Sequence, residues 1–195
     1  MTSFLRSTET IDWESPAVRD LALRLAADRT GELSIVRACF EWVRDCIPHT
    51  ADHGLDRVTC AASEVLAHGT GFCYAKSHLL AALLRANGIP AGLVYQRLSN
   101  DDGSFCLHGL NAVWLSEFRW YRLDARGNRP GLAAGFAPPD EQLPFIAAAP
   151  GEKLFPGIWA EPVAQVLEAL RFYPKSADLL KHMPDAENLE PWEDR

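Results

Sequence analysis

The chain has 195 residues, 48% of them apolar and 23% charged, with a formal net charge of −7 and a sequence pI near 5.3. That size and balance suit one globular domain that buries most of its apolar surface without metal or disulfide staples. The acidic charge excludes the concentrated basic surface that nucleic acid or anionic lipid requires.

The first stretch, Met1 to Ser15, carries Arg6, Glu9, Asp12 and Glu14 and has no basic segment leading into an apolar run, so no secretory signal is expected. No segment approaches the roughly 20 apolar residues that span a bilayer, so no membrane partner is expected. Ser15-Pro16 predicts a helix start, with serine as N-cap and proline at the first helical position. Val18, Leu21, Ala22 and Leu25 recur at helical spacing, and the helix ends before Gly31. A second helix is predicted from Glu32 to Cys46, where Leu33, Val36, Phe40 and Val43 form one stripe and Pro48 stops it. Pro48 to Val58 reads as loop. A short helix, Ala61 to His68, closes on Gly69. The turn Gly69-Thr70-Gly71-Phe72-Cys73 then feeds an apolar helix from Tyr74 to Ala86, which Asn87-Gly88 ends.

After Pro90 the apolar period changes. Leu93 to Leu98 predicts a strand, Asn100 to Gly103 a turn, Phe105 to Leu115 a second strand and Phe118 to Asp124 a third. A turn over Leu115, Ser116 and Glu117 would set Trp114 opposite Phe118 and His108 opposite Asp124. Beyond Asp124 the chain is rich in Gly and Pro, including Gly127, Pro130, Gly135, Pro138 and Pro139. That predicts an irregular segment wrapping the surface, not a second domain. One further helix, Pro162 to Arg171, and a loose acidic tail from Pro184 complete the chain. Helices followed by adjacent antiparallel strands predict an α+β fold in a single domain, residues 1–195. Its core would span about 30–130, with an irregular and helical extension over 131–195.

The five cysteines, Cys39, Cys46, Cys60, Cys73 and Cys106, are odd in number, irregularly spaced and free of any Cys-x-x-Cys pair. Reduced thiols in the cytoplasm are expected, with no zinc site. No loop carries calcium-ligand spacing, so the reading needs no metal and no cofactor. Cys73 stands where a Gly-rich turn enters a helix, and free N–H groups at a helix start stabilise a thiolate. The backbone N–H of Cys73 is also placed to meet an oxyanion.

A thiol nucleophile needs a base, and the base needs an orienting group. Of the six histidines, His78 is five residues along the same helix and cannot meet Cys73. His68 reads as a helix C-terminal residue, and His182 lies in the tail. His49 and His53 are loop residues able to border a cleft, and with Asp52 they form a loose candidate metal group without ligand spacing. His108 lies on a strand beside the one that ends in Asp124. A carboxylate there would fix its tautomer and raise its basicity.

Three blocks taken together resemble the core of the transglutaminase-like superfamily. They are Gly71-Phe72-Cys73-Tyr74-Ala75-Lys76-Ser77 with Gly88-Ile89-Pro90-Ala91; then His108 through Trp114; then Trp120-Tyr121-Arg122-Leu123-Asp124. The resemblance covers about residues 55 to 130. It implies a papain-like fold, with Cys73 as nucleophile, His108 as base and acid, and Asp124 as orienter. The implied activity is acyl transfer on a peptide or amide, ending in hydrolysis by a cysteine protease or amidase, or in transamidation. Two positions depart from the family pattern. Gly109-Leu110 replaces the usual Ala-Trp after the histidine, and Gly92 replaces an arginine. Trp42 is a candidate upstream oxyanion donor, though on an apolar helix it reads as core. Trp114, Trp120 and Tyr121 read as core or cleft lining. A catalytically inactive member that keeps the fold as a binding module is the alternative.

Overall fold

The computed structural model describes residues 1–190. A 3₁₀ turn, Thr2–Leu5, precedes α1 (Pro16–Ala26), α2 (Glu32–Cys46), α3 (Ala62–His68) and α4 (Cys73–Ala86). Strands β1 (Ala91–Ser99), β2 (Phe105–Leu115) and β3 (Arg119–Leu123) follow. Next come β4 (Gly135–Ala137), β5 (Asp140–Gln142) and β6 (Lys153–Leu154), then α5 (Ala164–Phe172) and α6 (Ser176–Lys181). No helix among the described residues is long and apolar enough to cross a membrane.

Helix α4 is the axis of the molecule. Every residue from Cys73 to Arg85 is buried, as its apolar sequence on all sides demands. Helices α1, α2 and α3 pack on one flank, and β1 and β2 on another. Val18, Leu21 and Ala22 of α1 are buried in the same core. Two cations are buried in α4, and both are satisfied by carbonyls. Arg85 donates to the carbonyl oxygens of Ala91 (3.0 Å), Arg6 (2.9 Å) and Ala160 (2.6 Å), tying three remote segments to one guanidinium. Lys76 Nζ donates to Ile47 O and, at 3.4 Å, to Arg44 O, at the C-terminal end of α2. A cation there meets the negative end of the helix dipole.

The main sheet is antiparallel in the order β3-β2-β1-β6. Leu107, Val113 and Leu115 of β2 join the core under α4, while Leu110 and Ala112 face the other side with Val94. The β2–β3 register differs from the predicted one by two residues. Trp114 pairs with Trp120, and Leu115 with Arg119. Leu115 is fully buried, so it stays in the strand. The turn falls on Ser116 to Phe118, and Arg119 adopts a left-handed φ of 65°. A shift of two keeps every side chain on its predicted face, where a shift of one would have reversed them.

The stretch after Asp124 is more ordered than its Gly and Pro content predicts. It supplies β6 as the edge strand beside β1, and the β4–β5 hairpin. The tail from Pro184 is not loose where it is described. Leu107 N donates to Pro184 O at 2.7 Å, Asp185 pairs with Arg97 at 2.7 Å, and Trp159 Nε1 donates to Glu190 O at 2.8 Å. The unpaired edge of β2 and the indole of Trp159 recruit this segment, because buried donors need partners. Residues 191–195 lie outside the described residues.

Candidate active site

Cys73 is the first residue of α4, and no side chain caps that helix. Its first N–H groups lack intrahelical acceptors, so the start of α4 offers donors and partial positive charge to whatever occupies the cleft before it. The cleft measures about 760 Å³. Its walls include Phe72 and Cys73, the β2 residues Cys106 and His108, the β1–β2 turn, Phe145, Arg126, and Leu180, Lys181 and Met183 from α6 and beyond.

Asp124 falls one residue beyond β3, and by register it stands diagonal to His108. Side chains at that spacing can still meet, and the Asp124 Oδ2 to His108 Nε2 distance is 2.6 Å. A carboxylate only accepts, so Nε2 carries the proton and Nδ1 is left free. The other carboxylate oxygen, Oδ1, accepts Arg126 N–H at 2.8 Å. Burial of the ring disfavours the imidazolium. The Asp124 carboxylate and the Cys73 sulfur outweigh that, and the His108 pKa rises from 6.5 to about 10. Phe145 lies edge-on to the same ring, with centroids 4.9 Å apart, and shields it from water.

The other thiols differ. Burial pushes Cys39 up to about 12 and Cys60 and Cys106 up to about 11, which keeps them protonated near neutral pH. Cys46 is exposed at the C-terminal end of α2 and does not line the cleft. Among the other histidines, His78 is buried with Nδ1 2.8 Å from Cys60 O, and His182 stacks on Tyr173. His49 lines the cleft beside Cys73, and His53 faces a separate polar pocket. Asp52 is committed to Arg126, whose Nη1 and Nη2 reach its two oxygens at 2.5 and 2.9 Å. No group of three potential metal ligands stands together among the described residues.

Trp42 packs against the core and does not line the cleft, nor do Trp114, Trp120 or Tyr121. Trp114 and Trp120 pack edge-on to each other, and Tyr121 against Phe136. Arg126 and Phe145 went unnoticed in the sequence. Arg126 had a faint signal, as a charged residue two positions after Asp124 in a Gly-rich stretch. Phe145 had none, since it arrives from an irregular segment.

Neither departure from the family pattern lies on the cleft. At Gly92 a Cβ would meet Ile158 at 2.4 Å and Phe4 at 3.0 Å. At Gly109 it would meet Tyr74 Cδ1 at 2.9 Å and Tyr74 Cα at 3.2 Å, so glycine lets the first turn of α4 lie directly on β2. Gly109→Ala should push that turn away and open the Cys73–His108 geometry. The expected result is a fall of about 10²-fold in Cys73 alkylation at pH 6, the scale of a 1 Å misplacement, in a protein that still melts cooperatively. A folded variant with full reactivity would show that this contact does not set the geometry.

The model of the transglutaminase-like superfamily matches residues 19–125, more than half of the chain. A crystal structure of a putative cysteine protease from Cytophaga hutchinsonii superposes with a TM-score of 0.53 at 21% identity, over 63% of this chain and 40% of that one. The periplasmic domain of TgpA from Pseudomonas aeruginosa gives 0.47 at 23% identity, over 63% of this chain and 46% of that one. This chain therefore spans less than half the length of either. No protein of curated function matches the sequence. Helices packed on a curled antiparallel sheet are the α+β architecture of these transglutaminase-like and papain-like proteins.

Proposed function

This chain belongs to the transglutaminase-like superfamily, and on that premise we propose that it is a thiol hydrolase acting on a peptide or amide through Cys73, His108 and Asp124. The observation that carries the reading is the 2.6 Å hydrogen bond from His108 Nε2 to Asp124, which leaves the opposite ring nitrogen for Cys73. Cys73 gives its thiol proton to His108 Nδ1 as Sγ attacks the acyl carbon, and a C–S bond forms. The imidazolium of His108 gives its proton to the leaving amine as the C–N bond breaks. His108 then takes a proton from water, which attacks the thioester and regenerates the thiol. Water reaches an open cleft without a dedicated site, whereas transamidation needs a second site for an amine, so hydrolysis is the favoured outcome. The five thiols are free and fit the reducing cytoplasm, where we place the enzyme.

The test is the iodoacetamide alkylation rate of each cysteine against pH, with the label located by mass spectrometry. A Cys46→Ser background removes the exposed thiol. Cys73 should label first and keep reacting below pH 7, while the buried Cys39 and Cys60 stay protected and Cys106, part-exposed on the cleft with a pKa pushed up to about 11, labels only at alkaline pH. His108→Ala should cost Cys73 at least about 10²-fold at pH 6. If Cys73 follows the same pH curve as the buried thiols, the hydrolase reading fails and a binding module without catalysis takes its place.

A further inference from the structure

Thiol attack on an acyl carbon turns the carbonyl oxygen into an oxyanion, which needs donors already in place. The start of α4 offers the Cys73 backbone N–H. Neither His108 nor Asp124 supplies a second donor, because His108 Nε2 is bonded to Asp124, Nδ1 serves Cys73 and the leaving amine, and a carboxylate has no proton to give.

The loop after α2 brings another candidate to the thiol. His49 forms a parallel bridge to Gly71, two residues before Cys73. Thr50 N donates to Gly71 O at 3.1 Å and Gly71 N to Pro48 O at 3.4 Å, so backbone bonds flank His49 on both sides. Lys76, from the first turn of α4, holds the carbonyl of Ile47. The His49 ring lies edge-on to Phe72, with centroids 5.5 Å apart, and both rings line the cleft with Cys73 and His108. Asp52 N–H points at His49 Nδ1 at 3.5 Å, and Asp52 Oδ1, at 3.7 Å from the same nitrogen, lies beyond hydrogen-bond reach, so Nδ1 is assigned as the acceptor and the ring proton to Nε2. Among the described residues no acceptor takes that proton, and Nε2 is not sealed inside the protein.

From this arrangement we infer that His49 is a catalytic residue, whose Nε2–H joins the Cys73 backbone N–H in binding the oxyanion. The inference rests on the thiol-hydrolase reading. As the C–S bond forms, the carbonyl π pair moves onto oxygen and is held by these two donors. As the intermediate collapses, the C=O bond re-forms and the amine or alcohol leaves. His49 lends a hydrogen bond and transfers no proton. Burial and the nearby Arg126 guanidinium push its pKa down to about 3. The ring is therefore neutral at working pH, too weak a base to compete with His108, and already in its donor form. The Asp52–Arg126 pair anchors the same loop to the residue that follows Asp124 by two, so both sides of the site share one scaffold.

Two reactions of Cys73 separate this role from a structural one. Acylation by p-nitrophenyl acetate passes through an oxyanion, whereas displacement of iodide from iodoacetamide does not. His49→Ala should slow acylation by about 10²–10³-fold, the loss seen when one oxyanion donor is removed, and leave alkylation unchanged. His49→Gln, which keeps an N–H donor, should recover part of the loss. Unchanged acylation in His49→Ala would overturn the assignment. An equal fall in both reactions would also overturn it, by showing that His49 merely holds the thiol in place. If wild-type Cys73 is alkylated but never acylated, the hydrolase reading itself fails and the donor role falls with it.

Discussion

Cys73→Ala should reduce formation and turnover of the acyl-enzyme to background, a loss of at least about 10⁴-fold, while the protein stays folded. Among the described residues the Cys73 sulfur alone combines a helix start, a nearby imidazole and a place on the cleft wall. Cys73 is 5% exposed, Cys39, Cys60 and Cys106 are protonated by burial, and Cys46 does not line the cleft, so no other thiol can substitute. Alanine is a good helix former, and the change removes a polar atom from a buried position. The melting temperature should therefore hold or rise, as is common when a functional group is removed. Cys73→Ser should be equally inactive, because a hydroxyl does not yield its proton to an imidazole as a thiol does. The check is intact-mass detection of a single acetyl adduct after p-nitrophenyl acetate, followed by its decay in water. An adduct of unchanged yield in Cys73→Ala would place the chemistry on another residue.

Much of this was legible in the sequence, and the reasons are specific. The boundaries of α2 and β2 match the prediction because periodicity and flanking Gly and Pro agree there. Cys73 was legible because a Gly-rich turn before a long apolar helix is a local signal. The pairing of His108 with Asp124 survived a register error of two, since only parity decides which face a side chain takes. The error arose because the burial of Leu115 under α4 is a tertiary fact that no local turn signal carries. The same limit hid β6 and the ordered tail, whose positions follow from partners more than 30 residues away. His49 was visible only as a loop histidine able to border a cleft. Its bridge to Gly71 joins two segments that share no pattern in sequence.

Asp124→Asn should be nearly as damaging as loss of the thiol, at about 10³–10⁴-fold in turnover, for a reason of proton placement. The variant keeps the volume of the side chain and can keep the bond from Arg126 N to Oδ1. The amide would then turn its NH₂ toward His108 Nε2. That forces Nε2 to accept and moves the ring proton to Nδ1, where it blocks the nitrogen that must serve Cys73. A second readout follows from stability. The folded pKa of His108 is about 10, above the 6.5 of an ordinary histidine. Its contribution is therefore full below about pH 6.5 and is lost as pH rises toward 10. The Asp124 carboxylate is the largest of the influences raising that pKa, so the asparagine variant should show a shallower loss of stability between pH 7 and 10. Urea unfolding at the two pH values, beside turnover at pH 7, measures both effects. A variant with turnover within tenfold of wild type and the same alkaline slope would reduce Asp124 to a residue that ends β3. Loss of turnover with the slope unchanged would mean that Asp124 positions the ring without charging it.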